Sequence, residues 1–199
     1  MGEGTDLRVG VDMDGVLADL DGAIRRHQQL AGEGQSFAGR VINTLKGVLM
    51  SPTADPAALW DEIRQLDAFW ESLDEIEPGC VARLADLSRG HQWQIIFLTR
   101  RPEVAGDTAQ RQTQRWLQAR GFELPSVYVV PGSRGQIAAA LDLDVVIDDD
   151  LENCLDVAAT SNARSILVCR APQPPAVDGL GIDVVSTLEA GLNLLTGSL

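Results

Sequence analysis

The sequence predicts an α/β protein with a Rossmann-like, three-layer parallel-sheet core and a small helical cap inserted after the first strand. Short apolar runs with the length of buried strands alternate with segments of helical periodicity. One long stretch after the first run keeps helical spacing and lacks a strand pattern. The chain has 199 residues, 45 % of them apolar, which is enough for one packed core with an insertion.

Six apolar runs have the composition of buried parallel strands. Because strands and helices alternate, the crossovers should be right-handed and the carboxyl ends of the strands should share one edge, where ligands bind in such sheets. The runs are Leu7–Asp12, Trp93–Thr99, Val127–Val130 and Val145–Asp148, with Ser165–Cys169 and Val184–Val185 as extensions.

Three segments between these runs carry helix signals, namely apolar residues at helical spacing together with capping or glycine residues at their ends. The predicted helices follow Pro78-Gly79, run from Asp107 as a candidate N-cap to Arg120, and begin at Leu151 after Asp150.

The stretch 17–77 interrupts the alternation. Leu17, Leu20 and Ile24 keep helical spacing, and Asp55-Pro56 supplies the N-cap and first-turn proline that open another helix. We therefore expect a core domain of residues 1–16 and 78–199, with residues 17–77 as a helical cap over the end of the first strand.

Composition excludes several classes of protein. A net charge of −13 repels the backbone of nucleic-acid polymers. No apolar run is long enough for a membrane helix, and the acidic N-terminus lacks a signal-peptide pattern, so we expect a cytoplasmic protein. The three widely spaced cysteines predict buried thiols instead of a disulfide or zinc framework.

The first chemical signal is a pair of carboxylates where the first strand ends. Asp12 and Asp14 are two residues apart on an extended segment and therefore point to the same side, and Gly15 lets the chain turn away. Two carboxylates at the end of a buried strand indicate a nearby cation, because uncompensated buried charge is energetically costly.

A second acidic pair, Asp148 and Asp149, ends another predicted strand. In a parallel sheet both strand ends lie at one edge, so Asp12, Asp14, Asp148 and Asp149 can share a hard cation. Oxygen ligands of this kind suit Mg²⁺.

A third strand ends at Thr99, whose hydroxyl can bind an anion, and Arg100 and Arg101 follow it. A single guanidinium group can bind two phosphate oxygens at once. Thr99 is therefore a candidate anion ligand, and Arg100 and Arg101 are candidate phosphate ligands.

These motifs together resemble the haloacid dehalogenase superfamily of phosphotransferases over most of the chain. The resemblance implies that Asp12 is the nucleophile, that Asp14 is the general acid and then base, and that Thr99 holds a phosphoryl oxygen. It also implies that Asp148 and Asp149 hold Mg²⁺ together with the Asp12 carboxylate and the Asp14 backbone carbonyl. Family members that cleave carbon–halogen bonds lack the second aspartate, so Asp14 favours phosphate chemistry.

One position departs from the family. Its third motif is a lysine that pairs with the nucleophile and the phosphate, and the corresponding interval here contains none. Arg134 is the best substitute, which keeps the charge but not the compact geometry of lysine.

Within the superfamily the closest likeness is to the 5′(3′)-deoxyribonucleotidases, on the helical insertion and the segment from Phe69 to Gly79. Those enzymes stack a base on cap aromatics, for which Trp60, Phe69 and Trp70 are candidates. Arg100 and Arg101 stand where that group has serine and proline.

The sequence thus predicts a Mg²⁺-dependent phosphomonoesterase that acts on a small phosphate ester, with a nucleoside monophosphate as one candidate. A catalytically weak or inactive phosphate-binding protein of the same fold is the alternative, because the motif lysine is absent. A phosphonate-cleaving relative would need a cap lysine, and Lys46 is its only support.

Overall fold

A computed structural model describes residues 6–24 and 64–197. These residues contain a six-stranded, wholly parallel sheet in the order β3-β2-β1-β4-β5-β6. The strands are β1 (Arg8–Asp12), β2 (Gln94–Thr99), β3 (Ser126–Val129), β4 (Val145–Asp148), β5 (Arg164–Val168) and β6 (Ile182–Val185). The predicted α/β, Rossmann-like fold class is confirmed.

Five α-helices and one short 3₁₀ helix lie wholly within the described ranges and connect or flank the strands. The 3₁₀ helix is Phe69–Glu71, and the α-helices are α1 (Cys80–His91), α2 (Ala109–Ala119), α3 (Arg134–Ala140), α4 (Leu151–Thr160) and α5 (Leu188–Thr196).

Strand register brings the three chemically important strand ends together. Asp12 on β1 is the partner of Leu98 on β2, so Asp12 lies one residue from the level of Thr99. On the other side, Val11 pairs with Ile147, which places Asp148 beside the end of β1.

The sheet buries apolar side chains on both faces, as a three-layer core requires. Val11, Phe97 and Ile147 belong to the larger cluster on one face. Ile96 and Val146 belong to the smaller cluster on the other face. The central strands are therefore apolar on both sides, which explains why they read as continuous apolar runs.

The capping of two helices can be compared with expectation. Asp150 is the N-cap of α4, as predicted, and its side chain accepts a hydrogen bond from the Glu152 amide at 2.8 Å. The N-cap of α2 is Thr108 instead of Asp107, because the Thr108 hydroxyl accepts from the Arg111 amide.

The cap prediction is only partly within the described residues. Residues 20–24 are helical, and Leu17, Trp70 and Leu73 are buried in the larger core cluster. Residues 25–63, which include the predicted helix at Asp55-Pro56 together with Lys46 and Trp60, lie outside the described residues. The domain division at residues 17–77 remains a prediction.

Within residues 6–24 and 64–197, no helix has the length and apolar character needed to cross a membrane.

Candidate active site

Three strands deliver polar side chains to one edge of the sheet. Asp12, Thr99 and Asp148 are the last residues of β1, β2 and β4, and each is buried. The strands are apolar up to these positions, so the polar side chains collect where ligands bind in open parallel sheets.

A potential metal site forms between the first and fourth strands. Single carboxylate oxygens of Asp12, Asp148 and Asp149 lie within 4.8 Å of one another. Three hard oxygen donors at this spacing fit Mg²⁺ or a similar divalent cation. Within the described residues, the carboxylate of Asp14 is not part of this cluster. The role of the Asp14 backbone carbonyl as a metal ligand stays a prediction.

Gly15 allows the chain to pass close to Asp149. It has a φ of +91°, and a Cβ atom there would overlap the Asp149 carboxylate. The backbone conformation favours glycine at this position, and a Cβ atom there would force the Asp149 carboxylate to move.

The carboxyl groups of the cluster have raised pKa values. Burial, followed by the charge of Asp148, raises the pKa of Asp12 well above its usual range, and Arg134 opposes this effect. Burial also raises the pKa of Asp148. The loss of solvent around its carboxylate, followed by the charge of Asp148, raises the pKa of Asp149 to about 7, although part of its side chain reaches the surface. A bound cation would relieve this crowding of negative charge.

Arg134 supplies the buried positive charge. It is the first residue of α3, after the N-cap Ser133, and only 1 % of it is exposed. Its Nη2 donates a hydrogen bond to Asp12, and its Nε lies 3.3 Å from Asp148 Oδ2. The residue predicted to replace the motif lysine therefore reaches the predicted nucleophile.

Arg134 also has spare hydrogen-bonding capacity. Nη1 has no hydrogen-bond partner within the described part of the chain, and the contact of Nε with Asp148 lacks hydrogen-bond geometry. Buried donors without partners are rare in folded proteins. Those facing the site are available to the oxygens of a bound anion.

Asn153 is a site residue that sequence reasoning missed. Its Nδ2 donates to both carboxylate oxygens of Asp148, at 3.1 and 3.0 Å, and its Oδ1 accepts from Arg100 Nη2 at 2.8 Å. The sequence feature that could have identified it is its position in the first turn of α4, shortly after the acidic end of β4. A side chain there faces the carboxylate that precedes the helix.

The two arginines after Thr99 have different environments. Arg100 is exposed at the rim, where it contacts Asn153. Arg101 is buried, and its Nε and Nη2 bind the carboxylate of Asp14 at distances down to 2.7 Å. Thr99 Oγ1 accepts a hydrogen bond from the Arg101 amide at 3.2 Å.

The aromatic candidates lie at the edge of the site or beyond the described residues. Trp70 is buried, its indole donates to the Pro102 carbonyl at 3.1 Å, and its ring centroid is 4.8 Å from Arg101 Cζ. Phe69 is buried and packs edge-to-face against Trp70. Their predicted part in substrate binding, like that of Trp60, stays a prediction.

One cavity of about 250 Å³ collects these residues. Of the predicted site residues in the described ranges, all except Phe69 line it. The lining residues are Asp12, Asp14, Leu20, Trp70, Thr99, Arg100, Arg101, Pro102, Arg134, Asp148, Asp149, Asp150 and Asn153.

Comparison with solved structures reveals similar folds. A dehalogenase in an intermediate complex is 15 % identical with a TM-score of 0.61, and the match covers 96 % of this chain and 97 % of that one. A HAD family hydrolase from Deinococcus radiodurans R1 with bound phosphate and sodium is 20 % identical with a TM-score of 0.58, covering 96 % and 95 %. A hydrolase from Pseudomonas syringae is 17 % identical with a TM-score of 0.55, covering 96 % and 99 %.

No protein-family model matches the sequence, and the search of curated proteins gives no match. At identities this low, the structural similarity establishes a shared fold. The chain therefore has the fold of haloacid dehalogenase-type hydrolases, which is the fold that the sequence resemblance implies.

Proposed function

We propose that this protein is a Mg²⁺-dependent phosphomonoesterase that forms an aspartyl-phosphate on Asp12. The observation that carries the proposal is the cluster of Asp12, Asp148 and Asp149 oxygens within 4.8 Å, with the buried Arg134 hydrogen-bonded to Asp12. This combination offers a nucleophile, a cation site and an anion-binding group in one place.

The reaction has two steps. In the first, an Asp12 carboxylate oxygen forms a bond to phosphorus while the bond from phosphorus to the ester oxygen breaks, and Asp14 gives a proton to the departing oxygen. In the second, water attacks the phosphorus of the aspartyl-phosphate, Asp14 takes up the proton of that water, and Asp12 and inorganic phosphate are released.

Charge is the main obstacle to the first step, because an anionic carboxylate must approach an anionic phosphoryl group. Arg134 would offer its unpaired Nη1 and Nε hydrogens to phosphoryl oxygens. The Thr99 hydroxyl, buried at the end of β2, would bind another oxygen. Asp12, Asp148 and Asp149 would hold Mg²⁺, which when bound neutralises phosphoryl charge.

The likeness to a hydrolase that binds phosphate gives secondary support.

Phosphate release from p-nitrophenyl phosphate with and without Mg²⁺ tests the proposal. Asp12→Asn should abolish turnover, whereas Asp86→Asn should leave it unchanged, because Asp86 is exposed on α1 and pairs with Arg89. Loss of activity on EDTA addition and its return with Mg²⁺ are expected. Hydrolysis that persists without metal, or in Asp12→Asn, would contradict the mechanism.

For the substrate we propose a small phosphorylated metabolite, with (deoxy)nucleoside monophosphates as the first class to test. The support is the sequence likeness to deoxyribonucleotidases together with Arg100 at the rim of the cavity. A phosphate-release screen over nucleotides, sugar phosphates and phosphorylated cofactors decides among these classes. Nucleotides turned over no faster than the others would reject this choice.

A second candidate function is phosphate binding without efficient turnover. The observation in its favour is that Arg134 already contacts both Asp12 and Asp148, so its guanidinium competes for the groups that would attack phosphorus and hold the metal. Calorimetric binding of Mg²⁺ and phosphate, combined with no turnover of any ester in the screen, would support it.

A further inference from the structure

Arg101 has a fully enclosed, charged side chain beside the site. Its side chain has 0 % exposure, and its guanidinium has polar partners on all three nitrogens. Nε and Nη2 bind the two oxygens of Asp14, and Nη1 donates to Thr113 Oγ1 at 2.9 Å. A guanidinium with all its nitrogens engaged within the protein has little capacity left for a substrate phosphate.

The surroundings hold this arginine in place. Thr113 lies on α2, and its hydroxyl donates to the Ala109 carbonyl at 2.7 Å, which orients the oxygen toward Arg101. The Trp70 ring covers the guanidinium, and its indole is hydrogen-bonded to Pro102, next to Arg101 in sequence. The contacts thus come from α2 and from the 3₁₀ helix as well as from the loop after β2.

We propose that Arg101 is a positioning residue that acts through Asp14, fixing the Asp14 carboxylate at the cavity by its two-point contact. This inference rests on the proposed function, because it assigns Arg101 to the proton transfers of Asp14 and not to the binding of substrate phosphate. Of the two arginines that follow Thr99, Arg100, which is exposed at the rim, is the one left to meet the substrate.

The physical reason is the narrow tolerance of proton transfer. A general acid must lie within hydrogen-bonding distance of the oxygen that it protonates, and small displacements lower the rate strongly. Asp14 follows Asp12 on a chain that turns away at Gly15. The planar fork of Arg101 removes the rotation that a lone aspartate side chain would otherwise retain.

Two substrates separate this role from phosphate binding. An alkyl phosphate releases an alkoxide that needs a proton, whereas p-nitrophenyl phosphate releases a phenolate that does not. Both carry the same phosphoryl group. The value of kcat/KM reports steps up to formation of the aspartyl-phosphate, so it isolates the first proton transfer.

Arg101→Gln should lower kcat/KM for the alkyl phosphate by about a hundredfold and for the aryl phosphate by less than about threefold. Asp14→Asn should show the same pattern, and the double variant should lose no more than Asp14→Asn alone. Arg101→Lys should recover part of the loss, because lysine keeps the charge but not the fork. Arg111→Gln, on the exposed surface of α2, is the matched control.

Equal losses on both substrates, or a further loss in the double variant, would overturn the inference and indicate that Arg101 contacts the phosphoryl group. If Arg101→Gln does not fold, Thr113→Val removes a single hydrogen bond to the guanidinium and should give a smaller loss with the same substrate preference. A uniform loss in Thr113→Val would count against the inference.

Failure of the proposed function can be distinguished from failure of the positioning role of Arg101. If the wild-type protein turns over neither substrate, the phosphatase assignment fails, and a crystal structure of Arg101→Lys or Thr113→Val still tests the positioning. A displaced or rotated Asp14 carboxylate would support it, whereas an unchanged Asp14 side chain would overturn it.

Discussion

The guanidinium of Arg134 lies between the carboxylates of Asp12 and Asp148, hydrogen-bonded to the first and 3.3 Å from an oxygen of the second. All three side chains are buried, so the one positive charge partly compensates two carboxylates in a medium of low dielectric constant. This relationship links the predicted nucleophile to a predicted metal ligand through the residue that stands in for the motif lysine.

Removing Arg134 should destabilise the fold in a pH-dependent way. In Arg134→Met the two carboxyl groups lose their cation, and we expect a loss of about 3 kcal/mol in the free energy of unfolding at neutral to alkaline pH. The loss should shrink in acid, because protonation of the carboxyl groups then removes the buried charge. Urea denaturation at several pH values measures this.

Arg89→Met is the control for that experiment. Arg89 and Asp86 form a largely exposed pair on α1, and such pairs contribute between about 0 and 1 kcal/mol. A loss in Arg134→Met that is no larger than in Arg89→Met, or that does not change with pH, would contradict the proposed charge compensation.

Mg²⁺ should stabilise the protein more in alkali than in acid. The pKa of Asp149 is about 7 in the folded protein and near 3.8 for an ordinary aspartate. At pH values between these two, the folded state therefore binds a proton that the unfolded state does not. This contribution to stability is present below the lower pKa and is lost as pH rises through about 7. Mg²⁺ replaces that proton.

The measurement is the rise in melting temperature with added Mg²⁺, which should be larger at about pH 8 than at about pH 5. Asp149→Asn should lower the rise and weaken its pH dependence, whereas Asp86→Asn should not. An equal rise at both pH values in the wild-type protein would reject Asp149 as a titrating ligand.

Asn153 should support metal binding without being a charged ligand. Its amide donates to both oxygens of Asp148, so within the described residues Asn153→Ala leaves that carboxylate with only the Asp150 amide and the Arg134 guanidinium to orient it. We expect the affinity for Mg²⁺ to fall by about tenfold, the usual scale for groups that orient a ligand. Titration calorimetry measures it, with the exposed Asn162→Ala as control. Unchanged affinity in Asn153→Ala would mean that Asp148 is held adequately by other contacts.

Gly15 and Gly121 offer a matched pair of glycine substitutions. Both have a φ of +91°, but a Cβ at Gly121 would meet nothing within 4 Å, whereas one at Gly15 would overlap the Asp149 carboxylate. Each alanine variant should lose about 1 kcal/mol or more from backbone strain. Only Gly15→Ala should also weaken Mg²⁺ binding, and equal Mg²⁺ affinity in the two variants would contradict the close approach to Asp149.

Much of the fold could be predicted from local pattern. The apolar runs around Val11, Phe97 and Ile147 are strands because they are buried on both faces, and their acidic or hydroxyl ends follow from the open edge of a parallel sheet. The predicted limits of β3 and β6 differ from the observed ones by one or two residues. Hydrogen-bond pairing, and not apolar character, sets where a strand begins and ends. Asn153 was missed because a single amide on a helix carries no periodic signal.

The sequence by itself determined the α/β fold class and which residues would meet at the sheet edge, since the common direction of parallel strands brings all their carboxyl ends to one edge. Only the tertiary structure decided how the arginines are used. Arg101 binds Asp14 across 87 positions of chain, and Arg134 reaches Asp12 across 122. Both arginines could have faced solvent. Their partners depend on how α2 and α3 pack against the sheet, which no local pattern specifies.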